Sequence, residues 1–201
     1  MLDINVKTLT RQVLKMEIES YLDARPYMIK KMKQQVYLVY IRNGGSLVAT
    51  IVEQSLAKQG VNVFLGGVTC RRGSTRIKTK PGLISYAIRK VVKWMPYGIL
   101  NFFRNMEHLY LLVGNSDRTI LDCQIDWAVL NDADYVLIVD DAVDSGYSLA
   151  HVYQYIQEGS DNKTIETFSV TVTRKKPIIL PTYSIFNTVL IRFPWSMDFK
   201  K

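Results

Sequence analysis

Residues 136–149 read VLIVDDAVDSGYSL. Asp140 and Asp141 follow directly on four apolar residues, Asp144 comes three positions later, and Ser145-Gly146-Tyr147-Ser148 opens a new helical pattern. The apolar run predicts a buried strand over 136–139, which delivers the acids at a strand end. The serines and glycine fall where the next helix begins. There the first backbone N–H groups lack partners and the helix dipole is positive, so amides and two hydroxyls can hold a phosphate. Carboxylates suit the hydroxyls of a sugar. Acids beside phosphate-binding amides therefore describe a pocket for a ribose 5-phosphate. Two other arrangements use the same residue types. One is a helix N-cap next to a solvated acid. The other is an apolar strand whose terminal Asp holds Mg²⁺, which needs a G-x-x-x-x-G-K-[ST] loop that this chain lacks. The chain also lacks the G-x-S-x-G elbow of serine hydrolases and the H-E-x-x-H pair of zinc proteases.

The elements that must position these residues can be read from hydrophobic period. Leu9, Val13, Leu14, Ile18, Tyr21 and Leu22 form a helical stripe that stops near Pro26. VYLVYI (36–41) reads as a buried strand that breaks at Asn43-Gly44-Gly45. Leu47, Val48, Ile51, Val52 and Leu56 then share a helix face that Gly60 ends. VNVFLG (61–66) is a second strand. Residues 84–94 and 99–108 read as helices on either side of Pro96, 108–114 as a strand and 117–130 as a helix. A helix over 146–159 follows the central strand, and 167–173 and 188–193 are late strands. Alternating strands and helices predict an α/β fold with a mainly parallel, twisted sheet flanked by helices. Ligands bind such sheets beyond the carboxyl ends of the strands, where residues 43–45 and 140–148 lie.

The chain has 201 residues and no sign of repeats, so a single domain over 1–201 is expected. No apolar run is long enough to span a bilayer, and the N-terminus does not resemble a signal peptide. Cys70 and Cys123 have no metal or redox spacing and read as thiols of a reducing compartment. These features predict a cytoplasmic protein with no membrane partner. The net charge of +8 fits an anionic ligand. Arg71, Arg72, Arg76, Lys78 and Lys80 crowd into one segment, either a solvated loop or a mobile loop that closes over something negative.

VLIVDDAVDSGYS resembles the phosphoribosyl-pyrophosphate (PRPP) motif of type I phosphoribosyltransferases: an apolar strand, two acids, two apolar residues, a variable position and T-G-x-T. Both threonines are serines here, which keeps the hydroxyls. The resemblance implies that Asp140 and Asp141 hold the ribose and, through its hydroxyls and water, Mg²⁺. Ser145, Gly146, Tyr147 and Ser148 would take the 5-phosphate. Arg42, Asn43, Gly44 and Gly45 occupy the place of the family's pyrophosphate loop, and Arg71, Arg72 and Arg76 that of its mobile catalytic loop. Residues 70–130 then form an insertion carrying that loop, and 176–201 a small base-binding hood built from the terminal segments.

Within the family, Asp144 stands where 6-oxopurine enzymes carry an Asp near N7 of the purine, which makes it the implied catalytic acid/base. VTVTRKKP (170–177) looks like the strand that ends in a purine-contacting lysine, so Lys175 or Lys176 would face the base. TVLIRFPWSMD resembles the closing segment of xanthine-guanine phosphoribosyltransferase, with Pro194 and Trp195 in register. Leu190 departs from it, because an aromatic residue is expected there, so stacking on the base would rely on an aliphatic face or on another ring such as Phe193 or Tyr183. Tyr147 departs as well. The implied reaction moves ribose 5-phosphate from PRPP to a purine-type base and releases pyrophosphate, in a homo-oligomer (dimer or tetramer) by analogy. Another class shares the motif: regulators that sense PRPP or nucleotides while binding RNA or DNA. An acceptor other than a free purine is a third possibility.

Overall fold

The computed structural model describes residues 5–32, 35–42, 44–72, 92, 94–111, 118–160 and 163–200. Its centre is built from β2 (Gln35–Ile41), β3 (Asn62–Arg72), β4 (Arg118–Gln124), β5 (Tyr135–Val143), β6 (Thr164–Val172) and β7 (Tyr183–Asn187). They form one sheet of order β4-β3-β2-β5-β6-β7. Every neighbouring pair is parallel except β3 and β4. Parallel strands rich in Val, Ile and Leu need cover on both faces. Leu137 and Val139 of β5 pack with α1 (Arg11–Asp23) and α3 (Gly45–Lys58). Val136 and Ile138 face the other way, toward α5 (Trp127–Asp132) and α6 (Tyr147–Gly159). The short α2 (Pro26–Lys31) follows α1, and α4 (Tyr97–Leu111) precedes β4. A second, two-stranded parallel sheet pairs β1 (Val6–Thr8) with β8 (Leu190–Arg192); this pair and the C-terminal tail are called the hood below.

Several elements differ from the sequence reading. The strand expected at 136–139 runs on to Val143, because Asp140 and Ala142 pair with Ser169 and Thr171 of β6. The strand expected to stop at Gly66 continues to Arg72. Gly66 and Gly67 are not terminators: a Cβ on either would lie 2.8 or 2.7 Å from the rings of Tyr37 and Tyr40. The glycines make room for those aromatics on β2. The backbone of Arg71 and Arg72 is therefore strand, paired with Thr119 and Arg118, and not loop. Arg76, Lys78 and Lys80 lie outside the described residues, as does Asn43.

In the middle of the chain, 117–130 is not one helix. Its first half pairs with β3 as β4, and only Trp127–Asp132 is helical. Residues 108–111 belong to α4 rather than to a strand. Edge pairing overrode the local periodicity here, as it commonly does for short segments. The expected strand at 188–193 is present as β8, and a further strand, β7, precedes it. Thr188 adopts φ +61° and donates its N–H to the Val172 carbonyl at 2.7 Å, so β7 ends in the main sheet and β8 begins in the hood.

Two buried polar clusters fasten the outer pieces. Glu166 on β6 accepts hydrogen bonds from Tyr135, Tyr183 and Lys31, the last of which ends α2. Burial raises the Glu166 carboxyl, but Lys31 and the two phenols more than offset it, so its pKa is lowered. In the hood, Arg192 is 2% exposed and donates to Asp198 (2.8 Å), Thr8 (2.9 Å) and Asn101 (2.7 Å). Arg104 of α4 grips both oxygens of Asp198 at 2.8 and 2.6 Å and donates to the Ile191 carbonyl at 3.0 Å. One carboxylate thus ties α4, β8 and the C-terminal tail together.

Although burial opposes it, this pair of guanidiniums holds Asp198 down at about 2. A pKa lowered by folding gives a contribution that is complete above the ordinary value near 3.8. It is lost as pH falls from there toward 2. Asp198→Ala should cost about 3 kcal/mol, because two largely buried guanidiniums lose their common partner. Urea unfolding at neutral pH checks this, and the difference between variant and wild type should shrink in acid.

Candidate functional site

Side chains alternate between the faces of a strand, so two adjacent acids at the end of β5 cannot point the same way. Asp140 continues the row of Ile138 toward α6. Asp141 continues the row of Val139 toward α3.

On the α6 side, Asp140, Asp144, Ser145, Gly146 and Ser148 line one cleft of about 140 Å³, together with Ala142, Val143 and Leu149. Gly146 is the N-cap of α6 and has φ +83°, a conformation that favours glycine. It is also crowded, since a Cβ there would lie 3.0 Å from the Ile179 backbone, whose neighbour Ile178 donates to the Ser145 carbonyl at 2.9 Å. No side chain caps α6. Its first-turn amides thus keep their capacity for an anion at the mouth of the cleft. Tyr147 begins the helix half-buried and does not line the cleft.

On the α3 side, Gly44 caps α3, again without a side-chain cap. A Cβ on Gly44 would stand 1.9 Å from Asp141 Oδ2, and one on Gly45 would stand 3.0 Å from the Val139 carbonyl oxygen. These glycines let the α3 N-terminus close onto the strand end. Two helices contrast with this: the Thr10 side chain caps α1 and the Asp126 side chain caps α5. Burial pushes the Asp141 carboxyl up, opposed by hydrogen bonding to Asp140, to the backbone N–H groups of 141 and 142, and to the Trp195 side chain. Arg42 leaves β2 toward β4, where its guanidinium meets Asp122 at 2.5 Å.

Asp144 sits at the far end of the cleft. Thr173 Oγ1 donates to Asp144 Oδ1 at 2.9 Å, and Arg174 Nε lies 3.3 Å from the same oxygen. The Thr173 N–H also donates to the Val143 carbonyl at 2.9 Å, which extends the β5–β6 pairing by one step. The sequence does not single out Thr173 and Arg174; Lys175 and Lys176, the candidates to face the base, are exposed on the loop just beyond them. Only the register Val143↔Val172 shows that Thr173 is the residue beside Asp144.

The aromatic candidates divide in the same way. Leu190 and Phe193 are buried in the hood and core, and Tyr183 is committed to Glu166, so none offers a free face. Trp195 stacks on Phe193 with centroids 4.7 Å apart and planes 9° from parallel, and is 36% exposed. It is the ring that remains open beside Asp141.

No protein-family profile matches the chain, and no curated protein matches it by sequence. Solved structures do. A purine phosphoribosyltransferase from Pyrococcus horikoshii is similar with TM-score 0.57 over 96% of this chain and 95% of that one, at 17% identity. The xanthine-guanine-hypoxanthine phosphoribosyltransferase of Helicobacter pylori gives 0.57 over 96% of each chain, at 12% identity. Hypoxanthine phosphoribosyltransferase from Trypanosoma cruzi, in a ternary substrates complex, gives 0.54 over 90% of this chain and 79% of that one, at 14% identity. The chain has the type I phosphoribosyltransferase fold. Within the phosphoribosyltransferase fold, its candidate site occupies the carboxyl edge of the sheet, between two glycine-capped helices.

No group of three His, Cys, Asp or Glu able to enclose a metal occurs among the described residues. Mg²⁺ keeps most of its waters and typically takes one or two carboxylates plus substrate oxygens. Asp140 in the cleft wall fits that role. Asp141, turned to Gly44 and Trp195, faces the other side of the strand.

Gly44→Ala should force Asp141 out of place and destabilise the protein by about 1–3 kcal/mol through overpacking. Gly98→Ala, where the added Cβ meets nothing within 4 Å, should show no loss. Thermal melts of the two variants check the contrast.

Proposed function

We propose that this protein is a purine-type phosphoribosyltransferase that moves ribose 5-phosphate from PRPP to a 6-oxopurine base. The observation that carries the reading is the single cleft lined by Asp140, Asp144, Ser145, Gly146 and Ser148. The Ser145 and Ser148 hydroxyls and the first amides of α6 would bind the 5-phosphate. The Asp140 carboxylate would accept from the ribose hydroxyls. Across the strand end, the open amides of α3 behind Gly44 and Gly45 would receive the diphosphate.

In the reaction a purine nitrogen attacks C1 of the ribose while the bond from C1 to the diphosphate oxygen breaks. Positive charge develops on the sugar and negative charge on the leaving diphosphate, which the α3 amides stabilise. Bound Mg²⁺ would neutralise diphosphate charge, as the motif resemblance implies. The proton released by the purine passes to Asp144. Thr173 and Arg174 orient that carboxylate, and Arg174 would offer its guanidinium to an exocyclic base oxygen.

One observation favours the regulator reading. The Asp144 carboxylate is already engaged through Oδ1 by the Thr173 hydroxyl and the Arg174 guanidinium, which would hold it as a structural acid. Pyrophosphate release with a panel of purines and pyrimidines separates the two. The enzyme reading expects release with at least one oxopurine, and Asp144→Asn should slow it by roughly 10²–10⁴-fold. Release unchanged in that variant would remove Asp144 from the chemistry. No release with any base, together with salt-sensitive RNA or DNA binding, would favour the regulator.

A further inference from the structure

Arg42 follows the last residue of β2 and stands two residues before Gly44, the cap of α3. Its main chain is pinned, because its N–H donates to the Val68 carbonyl of β3 at 2.8 Å. Leu38 and Tyr40 of β2 face the α3 layer, so the pleat puts the Arg42 side chain on that face too. Val68 and Cys123 face the opposite layer. Thr69 of β3 and Asp122 of β4, which are partners in register, therefore share the face of Arg42. The guanidinium reaches along this row, away from β5, and donates to Asp122 Oδ2 at 2.5 Å.

That direction runs against the electrostatics of the α3 head. The Asp141 carboxylate lies over Gly44, so the open amides of α3 already have a negative charge beside them. The cation two residues away is turned from those amides and paired with a second acid. A diphosphate approaching them meets one guanidinium against two carboxylates. The hood offers no substitute, since Arg104 and Arg192 are both committed to Asp198.

We propose that Asp122 is a positioning residue that holds Arg42 in reserve, and that a diphosphate arriving at the α3 head replaces Asp122 as the partner of the guanidinium. The exchange presupposes the diphosphate site assigned to that head under the proposed function. The Arg42 and Asp122 side chains are 27% and 48% exposed, and an ion pair so open to water is weak. A guanidinium engages phosphate oxygens through two parallel N–H donors, so a diphosphate competes well against one carboxylate. The strand need not move: Arg42 stays pinned to Val68 while its side-chain torsions swing toward Gly44. Until then Asp122 lowers the apparent affinity of any anion that relies on Arg42, by the fraction of guanidinium it occupies. Only an anion that also fits the amides behind Gly44 and Gly45 offsets the lost ion pair, which favours diphosphate over smaller anions.

The test is calorimetric titration of the full chain with inorganic pyrophosphate at constant Mg²⁺, which needs no acceptor base. Asp122→Asn keeps the side-chain shape and removes the charge. It should bind pyrophosphate about 2–5-fold more tightly, the worth of an exposed ion pair. Arg42→Gln should bind more weakly than wild type. Adding Asp122→Asn to Arg42→Gln should then change nothing, because the acid acts only through Arg42. The thermal melt of Asp122→Asn should match wild type. Unchanged or weaker binding by Asp122→Asn overturns the proposal. An equal gain with and without Arg42 also overturns it, since Asp122 would then act by general repulsion. Absence of pyrophosphate binding in the wild-type chain removes the diphosphate site itself and the exchange with it.

Discussion

The pleat of β5 is the constraint on which the site depends. Because successive side chains leave a strand on opposite faces, Asp140 and Asp141 are divided between the two layers of the fold. Asp140 joins Ser145, Gly146 and Ser148 at the head of α6. Asp141 presses against Gly44 at the head of α3. A one-residue slip in the β5–β6 register would exchange these assignments and bury each acid against the wrong helix. Eight paired positions between β5 and β6 prevent that slip.

The arrangement of helix caps follows from the same geometry. Two helices start at the carboxyl edge with glycine and no side-chain cap, whereas α1 and α5 are capped by Thr10 and Asp126. A side-chain cap stabilises a helix by satisfying an N-terminal amide, typically by about 1 kcal/mol. Leaving α3 and α6 without one keeps those amides available for a ligand, and glycine allows the close approach that a ligand or a neighbouring carboxylate needs. The hood is joined to the core by Leu9, Ile191 and Phe193, and its outer pieces are fixed by charge. Arg192, Arg104 and Asp198 hold three chain segments by directional hydrogen bonds, which position Trp195 beside Asp141.

Much of the central sheet was legible in the sequence because its strands are continuous apolar runs and its helices carry clean stripes. The motif at 140–148 was legible because its residues are contiguous. The lengths of β3 and β5 were not, since Gly66 and the acids look like terminators and only a pairing partner reveals that the chain stays extended. Residues 117–130 were misread because β4 exists by pairing with β3, and β7 went unread because it is separated from β8 only by the turn at Thr188. Arg71 and Arg72 moved from loop to strand for the same reason.

By itself the sequence determined the fold class, the carboxyl-edge location of the candidate site and the adjacency of acids to phosphate-binding amides. Each is a local property, carried by period, composition or contiguous spacing. Only the tertiary structure decided which acid faces which helix, that Thr173 and Arg174 stand beside Asp144, and that Trp195 rather than Phe193 presents an open ring. These depend on register and on contacts between residues far apart in the chain, which no local pattern encodes.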